Sequence, residues 1–247
     1  MSTTAATAPA RSLDELVPVY VWQIPVRVAH WLIAISIAVL SVTGLYIGRP
    51  FMTVPGPAGE SFVMGWVKVI HGYFGYVFAA ALVMRLIWMF TGNRYSHWDK
   101  FIPVQRVRQR GMWPVTSFYM FLRDKPPAYV GHNPVAAGAY TLVYGLCLVT
   151  VLTGLIMRGA STETAFISFF GSLAPLFGGL QMVRWIHHIV MWLLLGFTVH
   201  HVYSAVLVAI VERNGTIDSI ISGYKWVPQR DLNPGPYRWN NRGQVDE

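Results

Sequence analysis

The chain has 247 residues, of which 54% are hydrophobic and only 12% charged; its mean hydropathy is +0.42 and its net charge +8. Soluble domains carry about twice that charged fraction, so a soluble helical core is excluded for want of polar surface. Cys147 is the sole cysteine and lies in an apolar run, which excludes an internal disulfide, a cysteine-ligated iron–sulfur cluster and a covalent C-x-x-C-H haem attachment.

Residues 1–19 read as a disordered tail, whose first ten residues are small and polar and lack the pattern of a secretory signal. A bilayer span needs about 20 mostly apolar residues. Four windows approach or exceed that length, about 30–47, 65–90, 135–157 and 185–211, and together they make residues 20–211 one membrane domain. Ahead of the first, Pro25 suits the turn or first helical position; Arg49-Pro50 ends it. The following loop, 49–64, is too rich in proline and glycine for a continuous helix. In the second window, Gly72 and Gly75 give room for another helix or a flat cofactor, and Arg85 is expected to reach toward water. Trp113–Leu122 reads as a short amphipathic helix at the interface. Asn133 and Pro134 form an N-cap and first helical residue for the third window. Residues 164–180 are too short and broken to span, and read as re-entrant, interfacial or covered by a partner. Residues 212–247 form a polar tail, and no internal repeat shows at solenoid spacing.

The basic residues are concentrated. Seven, from Arg94 to Lys125, lie between the second and third windows, and more flank both termini; the other two loops hold few. The positive-inside rule then puts both termini and the 91–134 loop in the cytoplasm. The charge calls for no nucleic-acid partner. The expected fold is an all-α, integral membrane four-helix bundle.

Four histidines fall at controlled depths in the spans, where ionisable groups cost several kcal/mol and usually mark function. His187 and His201 are 14 residues apart, which on a helix is four turns less about 40° and an axial rise of about 21 Å. They share a face near opposite margins of a hydrocarbon core roughly 30 Å thick. His187–His200 and His188–His201, at 13 residues, are about 140° out of phase. Helix direction then matches His30 with His201 at the inner level and His71 with His187 at the outer. Zinc wants four protein ligands, or three and a water. Two imidazoles on different helices suit a b-type haem, whose porphyrin supplies the other four ligands and leaves no open position. A transporter using buried histidines for proton coupling, or histidines of structural role, are the other readings of this pattern.

PVRVAHWL, VKVIHGYFGYVFAAALVMRLIW, GNRYSHWDKFIPV, YVGHNPVA and HHIVMWLLLGFTVHHVYSA resemble the b-type cytochrome subunit of membrane-bound nickel–iron hydrogenases, within a dihaem group shared with formate dehydrogenases. The resemblance covers about residues 20–224. It implies that His30, His71, His187 and His201 are axial ligands to the iron of two b-type haems, in the pairs His30–His201 and His71–His187. It departs at Arg184, where the family often has histidine, and at Val190, where it has glycine. It further implies a complex in the bacterial cytoplasmic (inner) membrane. There an iron–sulfur small subunit, and through it the hydrogen-splitting large subunit, delivers electrons that reach a quinone, menaquinone or ubiquinone. This chain would hold no hydrogen-activating site. Residues 160–180 and 49–64 are the expected contact with the hydrogenase, beside membrane lipid. Arg27, Arg85 and Arg184 are candidates for haem propionate contacts. His132, His97 and Asn133 are candidates for the quinone site, each also readable as a loop or cap residue. His188 and His200 are left as donors near a haem or as tolerated margin residues. A formate dehydrogenase cytochrome b subunit is the nearest alternative.

Overall fold

The computed structural model describes residues 15–51, 62–102, 106–125, 127, 129–229 and 232. Most of the expected N-terminal tail, residues 52–61 of the loop expected to meet the hydrogenase, and residues 233–247 lie outside the described residues. A short strand, β1 (Leu16–Tyr20), leads into α1 (Ile24–Gly48), followed by α2 (Val63–Thr91), a 3-10 turn (Trp98–Lys100) and α3 (Arg106–Tyr119). Then come α4 (Pro134–Gly159), α5 (Ala165–Gly171), a 3-10 turn (Ala174–Phe177), α6 (Leu180–Glu212), α7 (Thr216–Ser222) and β2 (Tyr224–Pro228). Helices α1, α2, α4 and α6 are long and apolar enough to cross a membrane, each running past its apolar window at both ends. Start signals set two of them: Pro25 stands in the first turn of α1, and Asn133 caps α4, its Oδ1 accepting from the Ala136 amide at 2.8 Å.

The long helices pack in two pairs, α1 with α2 and α4 with α6, and the pairs meet less extensively through α2–α4 and α1–α6. Phe78, Leu82, Cys147, Val190 and Leu194 form the buried centre where they meet. Lipid is as apolar as these side chains, so close packing rather than exclusion of water holds them. The α1–α2 and α4–α6 connections share one end of the bundle, the α5 end. There Ile156, Ala174 and Val183 form a second cluster under α5 and its 3-10 turn. Residues 164–180 thus fold as a cap on α4 and α6. Backbone meets backbone in that cap: a Cβ at Gly159 would lie 2.2 Å from the Ile167 carbonyl oxygen, and one at Gly171 would lie 2.5 Å from the Gly159 carbonyl carbon.

The opposite end, the sheet end, departs from expectation. The tail expected through residue 19 stops short, because Leu16–Tyr20 pairs antiparallel with Tyr224–Pro228, from Leu16↔Pro228 to Tyr20↔Tyr224. The segment after residue 212 is likewise structured through α7 and β2, with Val227 and Lys225 buried. Two pentapeptides too short to stand alone become a sheet by pairing, with burial alternating along each. Gly223, at φ +90°, lets the chain turn under Tyr20; a Cβ there would lie 2.6 Å from the Tyr20 ring. Trp22 Nε1 donates to Ser219 Oγ at 3.1 Å, and Lys225 Nζ bonds Glu212 at 3.3 Å and the Tyr129 carbonyl at 3.2 Å. The interfacial helix begins at Arg106 rather than Trp113, tolerates Pro114 inside it, and ends at Tyr119 rather than Leu122. It packs on α4 with Val115 and Phe118 buried.

Candidate functional site

Helix direction brings the span histidines into two facing pairs. His30 on α1 faces His201 on α6 near the sheet end, with ring centroids 6.3 Å apart and planes at 58°. His71 on α2 faces His187 on α6 near the α5 end, 6.5 Å apart at 60°. Half of either separation is about 3.2 Å. That is close to a nitrogen–metal distance of about 2.0 Å plus roughly 1.1 Å from ring nitrogen to ring centre, so each pair has room for one metal between its rings. Among the described residues, no group of three or more His, Cys, Asp or Glu side chains converges as a metal site. Two imidazoles without further protein donors need a ligand that brings four of its own, as porphyrin does. Gly75, one turn from His71 on the same face, would carry a Cβ with no heavy atom within 4 Å. A flat group has space there.

The α5-end pair is held from behind by two threonines that sequence reasoning passed over. Thr43 Oγ1 donates to the Val39 carbonyl at 2.7 Å and lies 2.8 Å from His71 Nδ1. Thr153 Oγ1 donates to the Val149 carbonyl at 2.7 Å and lies 2.8 Å from His187 Nδ1. A hydroxyl has one hydrogen. With that hydrogen on a carbonyl, each threonine accepts from Nδ1–H, and Nε2 keeps the lone pair that a metal requires. The following glycine lies against the ring: a Cβ at Gly44 would be tight, 3.3 Å from His71 Cε1, and one at Gly154 would make ordinary contact, 3.6 Å from His187 Cε1. The signal was present as a short repeat, Thr43-Gly44-Leu45 and Thr153-Gly154-Leu155, near the same end of the first and third spans.

The sheet-end pair is held differently. His201 Nδ1 lies 3.4 Å from the Tyr140 hydroxyl, and Phe197 stacks on its ring at 5.5 Å and 13°. His30 Nδ1 is sealed from solvent without a hydrogen-bond partner. Nearby stand cations with spare donors. Arg85 is 3% exposed, so it does not reach toward water as expected; its guanidinium lies over Phe101 at 4.8 Å and Tyr144 at 5.6 Å, and its Nη1 is buried and unpaired. Arg27 donates to the Ile221 carbonyl but keeps a buried, unpaired Nε. Buried donors are normally paired, so these two fit an anionic group such as a carboxylate. Arg184, at the other end, is exposed and bonds Gln181 at 3.3 Å on its own helix.

The remaining candidates separate. His132 is packed among the rings of Trp22, Phe101 and Tyr140 at 4.7–4.9 Å, with a buried, unpaired Nδ1. Burial, then the charges of Arg85 and Arg108, push its imidazole down to about 3, so it is neutral at ordinary pH. Tyr140 bridges it to His201, at ring separations of 4.9 and 5.7 Å. Asn133 is occupied as the α4 cap, and its Nδ2 donates to Tyr119 at 3.3 Å. His97 bonds Asp99 at 3.0 Å, and Asp99 bonds Lys100 at 2.6 Å. Burial opposes it, but these hydrogen bonds hold the Asp99 carboxyl below the usual range. His188 donates from Nδ1 to the Arg184 carbonyl at 2.9 Å and lies over Gly48, where a Cβ would come 2.9 Å from its Nε2. His200 is exposed, with Nε2 3.4 Å from Ser204.

Membrane-length helices that place facing imidazoles at two levels describe the class of membrane-bound b-type cytochromes. The family model of prokaryotic cytochrome b561 matches residues 21–223, and the chain belongs to that family. It is 36% identical over 217 residues to the "Probable Ni/Fe-hydrogenase 1 B-type cytochrome subunit" of Escherichia coli (strain K12), covering 86% of this chain and 92% of that one. It is 37% identical over 212 residues to the "Probable Ni/Fe-hydrogenase B-type cytochrome subunit" of Azotobacter vinelandii, covering 84% and 88%. The protein of that name from Rhizobium leguminosarum bv. viciae is 35% identical over 233 residues, covering 93% and 98%.

Proposed function

We propose that this chain is the membrane electron-transfer subunit of a nickel–iron hydrogenase, carrying electrons from the iron–sulfur small subunit of a periplasm-facing enzyme to membrane quinone. The observation that carries the reading is the pair of facing imidazole sets, His71–His187 and His30–His201, at two levels about 21 Å apart along α6. Relatives named as Ni/Fe-hydrogenase cytochrome subunits along 84–98% of their length favour hydrogenase over formate dehydrogenase as the partner. The basic loop 91–134 supports a cytoplasmic sheet end in the bacterial inner membrane, with both termini there.

A b-type haem bound at such a pair would supply one-electron transfer. His71 and His187 would hold the group on the hydrogenase side, and His30 and His201 the one on the quinone side. Arg27 and Arg85, with their buried unpaired donors, would hold the propionate carboxylates at the sheet end. Arg184 is free to do so at the α5 end by leaving Gln181. His132 is the quinone-side candidate that best combines proximity to His201, through Tyr140, with an unsatisfied polar atom. His97 and Asn133 have partners already and serve the loop and the α4 cap. The short helix α5, with Phe166 and Phe169 exposed, offers the hydrogenase an apolar contact.

The test is a reduced-minus-oxidised spectrum with haem quantification on chain purified from haem-replete membranes. A b-type band at two haems per chain is expected. A well-folded chain without a haem band overturns the reading and leaves a proton-coupled transporter in its place.

A further inference from the structure

The two imidazole pairs are not equivalent in what stands behind them. Several threonines in these helices bond only the carbonyl one turn back, as Thr150 does to Leu146 at 2.9 Å and Thr198 does to Leu194 at 2.8 Å. Thr43 and Thr153 make that bond and also meet an imidazole, each reaching from one helix of a pair to the histidine of the other: α1 to α2, and α4 to α6. The arrangement is duplicated in residue type, distance and the glycine that follows. At the sheet end, one Nδ1 has only a 3.4 Å contact with Tyr140 and the other has none, while buried guanidinium donors stand nearby.

We propose that Thr43 and Thr153 are positioning residues that lock His71 and His187 with the proton on Nδ1 and strengthen them as donors, so that the α5-end haem has the lower reduction potential. The proposal rests on the electron-transfer reading above. A hydrogen bond accepted from Nδ1–H moves electron density toward Nε2 and raises ligand basicity, which favours the oxidised form of a bound iron. His30 lacks this bond, and His201 has at most a long one. The buried positive charge of Arg85 favours the reduced form at that end. Both differences act in one direction, so electrons pass downhill from the α5 end to the sheet end without any difference in ligand type.

The full chain, purified with its haems, is titrated potentiometrically by its b-band absorbance. The component that disappears in His187→Ala identifies the α5-end haem. Thr43→Val and Thr153→Val are each expected to raise the midpoint of that component and leave the other in place. The double variant is expected to shift it further, and Thr43→Ser and Thr153→Ser to return it toward the wild-type value. If the valine variants lose the α5-end haem, the serine variants carry the test: their α5-end midpoint is expected below that of the other component, and the reverse order overturns the proposal. An unchanged midpoint in both valine variants, equal shifts of both components, or serine variants that behave like valine overturn it. A wild-type chain without any b-type band overturns the electron-transfer reading itself.

Discussion

His201→Ala and His200→Ala change neighbouring residues of the same type on one helix, yet their effects are expected to differ completely. Adjacent positions differ by about 100° around the axis. His201 turns inward, 6.3 Å from the His30 ring with Phe197 stacked behind it, whereas His200 is exposed against Ser204. Without His201, the imidazole that faces His30 is gone. His132 is engaged elsewhere, its ring packed against Trp22, Phe101 and Tyr140, with Tyr140 between it and His201. The haem content of His201→Ala is therefore expected to fall from two per chain to one, and hydrogen-dependent quinone reduction in membranes to stop. The remaining haem depends on His71 and His187. His200→Ala, and likewise His188→Ala, keeps both. Haem extraction against protein content, with quinone reduction in the same membranes, measures this. A His200 variant that loses a haem while the His201 variant keeps both would refute the assigned helix face.

Two further predictions concern the sheet end. His132 is held neutral, with its imidazole down from 6.5 to about 3, so the unfolded chain binds more protons than the folded one between those values. Its contribution is complete above pH 6.5 and is lost as pH falls toward 3, by at most about 1.4 kcal/mol per pH unit. His132→Phe keeps a ring against Trp22, Phe101 and Tyr140 and should flatten the acid side of the thermal-unfolding midpoint in detergent; an unaltered slope counts against it. Glu212→Gln leaves the buried Lys225 ammonium without its carboxylate at 3.3 Å, a change that costs about 3 kcal/mol for a buried pair. It should loosen α7 and β2, read as faster proteolysis after residue 212; wild-type resistance would show that the pair carries little.

The four membrane-length helices, the N-cap at Asn133 and the division of the histidines between inward and outward faces are legible in the sequence. Each is a property of one continuous helix, set by apolar run length, a 3.6-residue turn and the direction of travel. Pairing across helices is legible there only as depth, since His30 and His201 can be matched by level but not by contact. Arg85 shows the limit: near a span end it reads as a side chain bound for water, but Phe101 and Tyr144 close over it.

By itself, the sequence determined four apolar helices long enough to cross a membrane, and that His187 and His201 share a face at two depths. Only the tertiary structure decided that Thr43 serves His71 and Thr153 serves His187, and that the segments around residues 16–20 and 224–228 form one sheet. The reason is physical. Helical periodicity and hydropathy act between residues a few positions apart. A hydrogen bond between two helices, or a strand pair from opposite ends of the chain, depends on where whole elements come to rest.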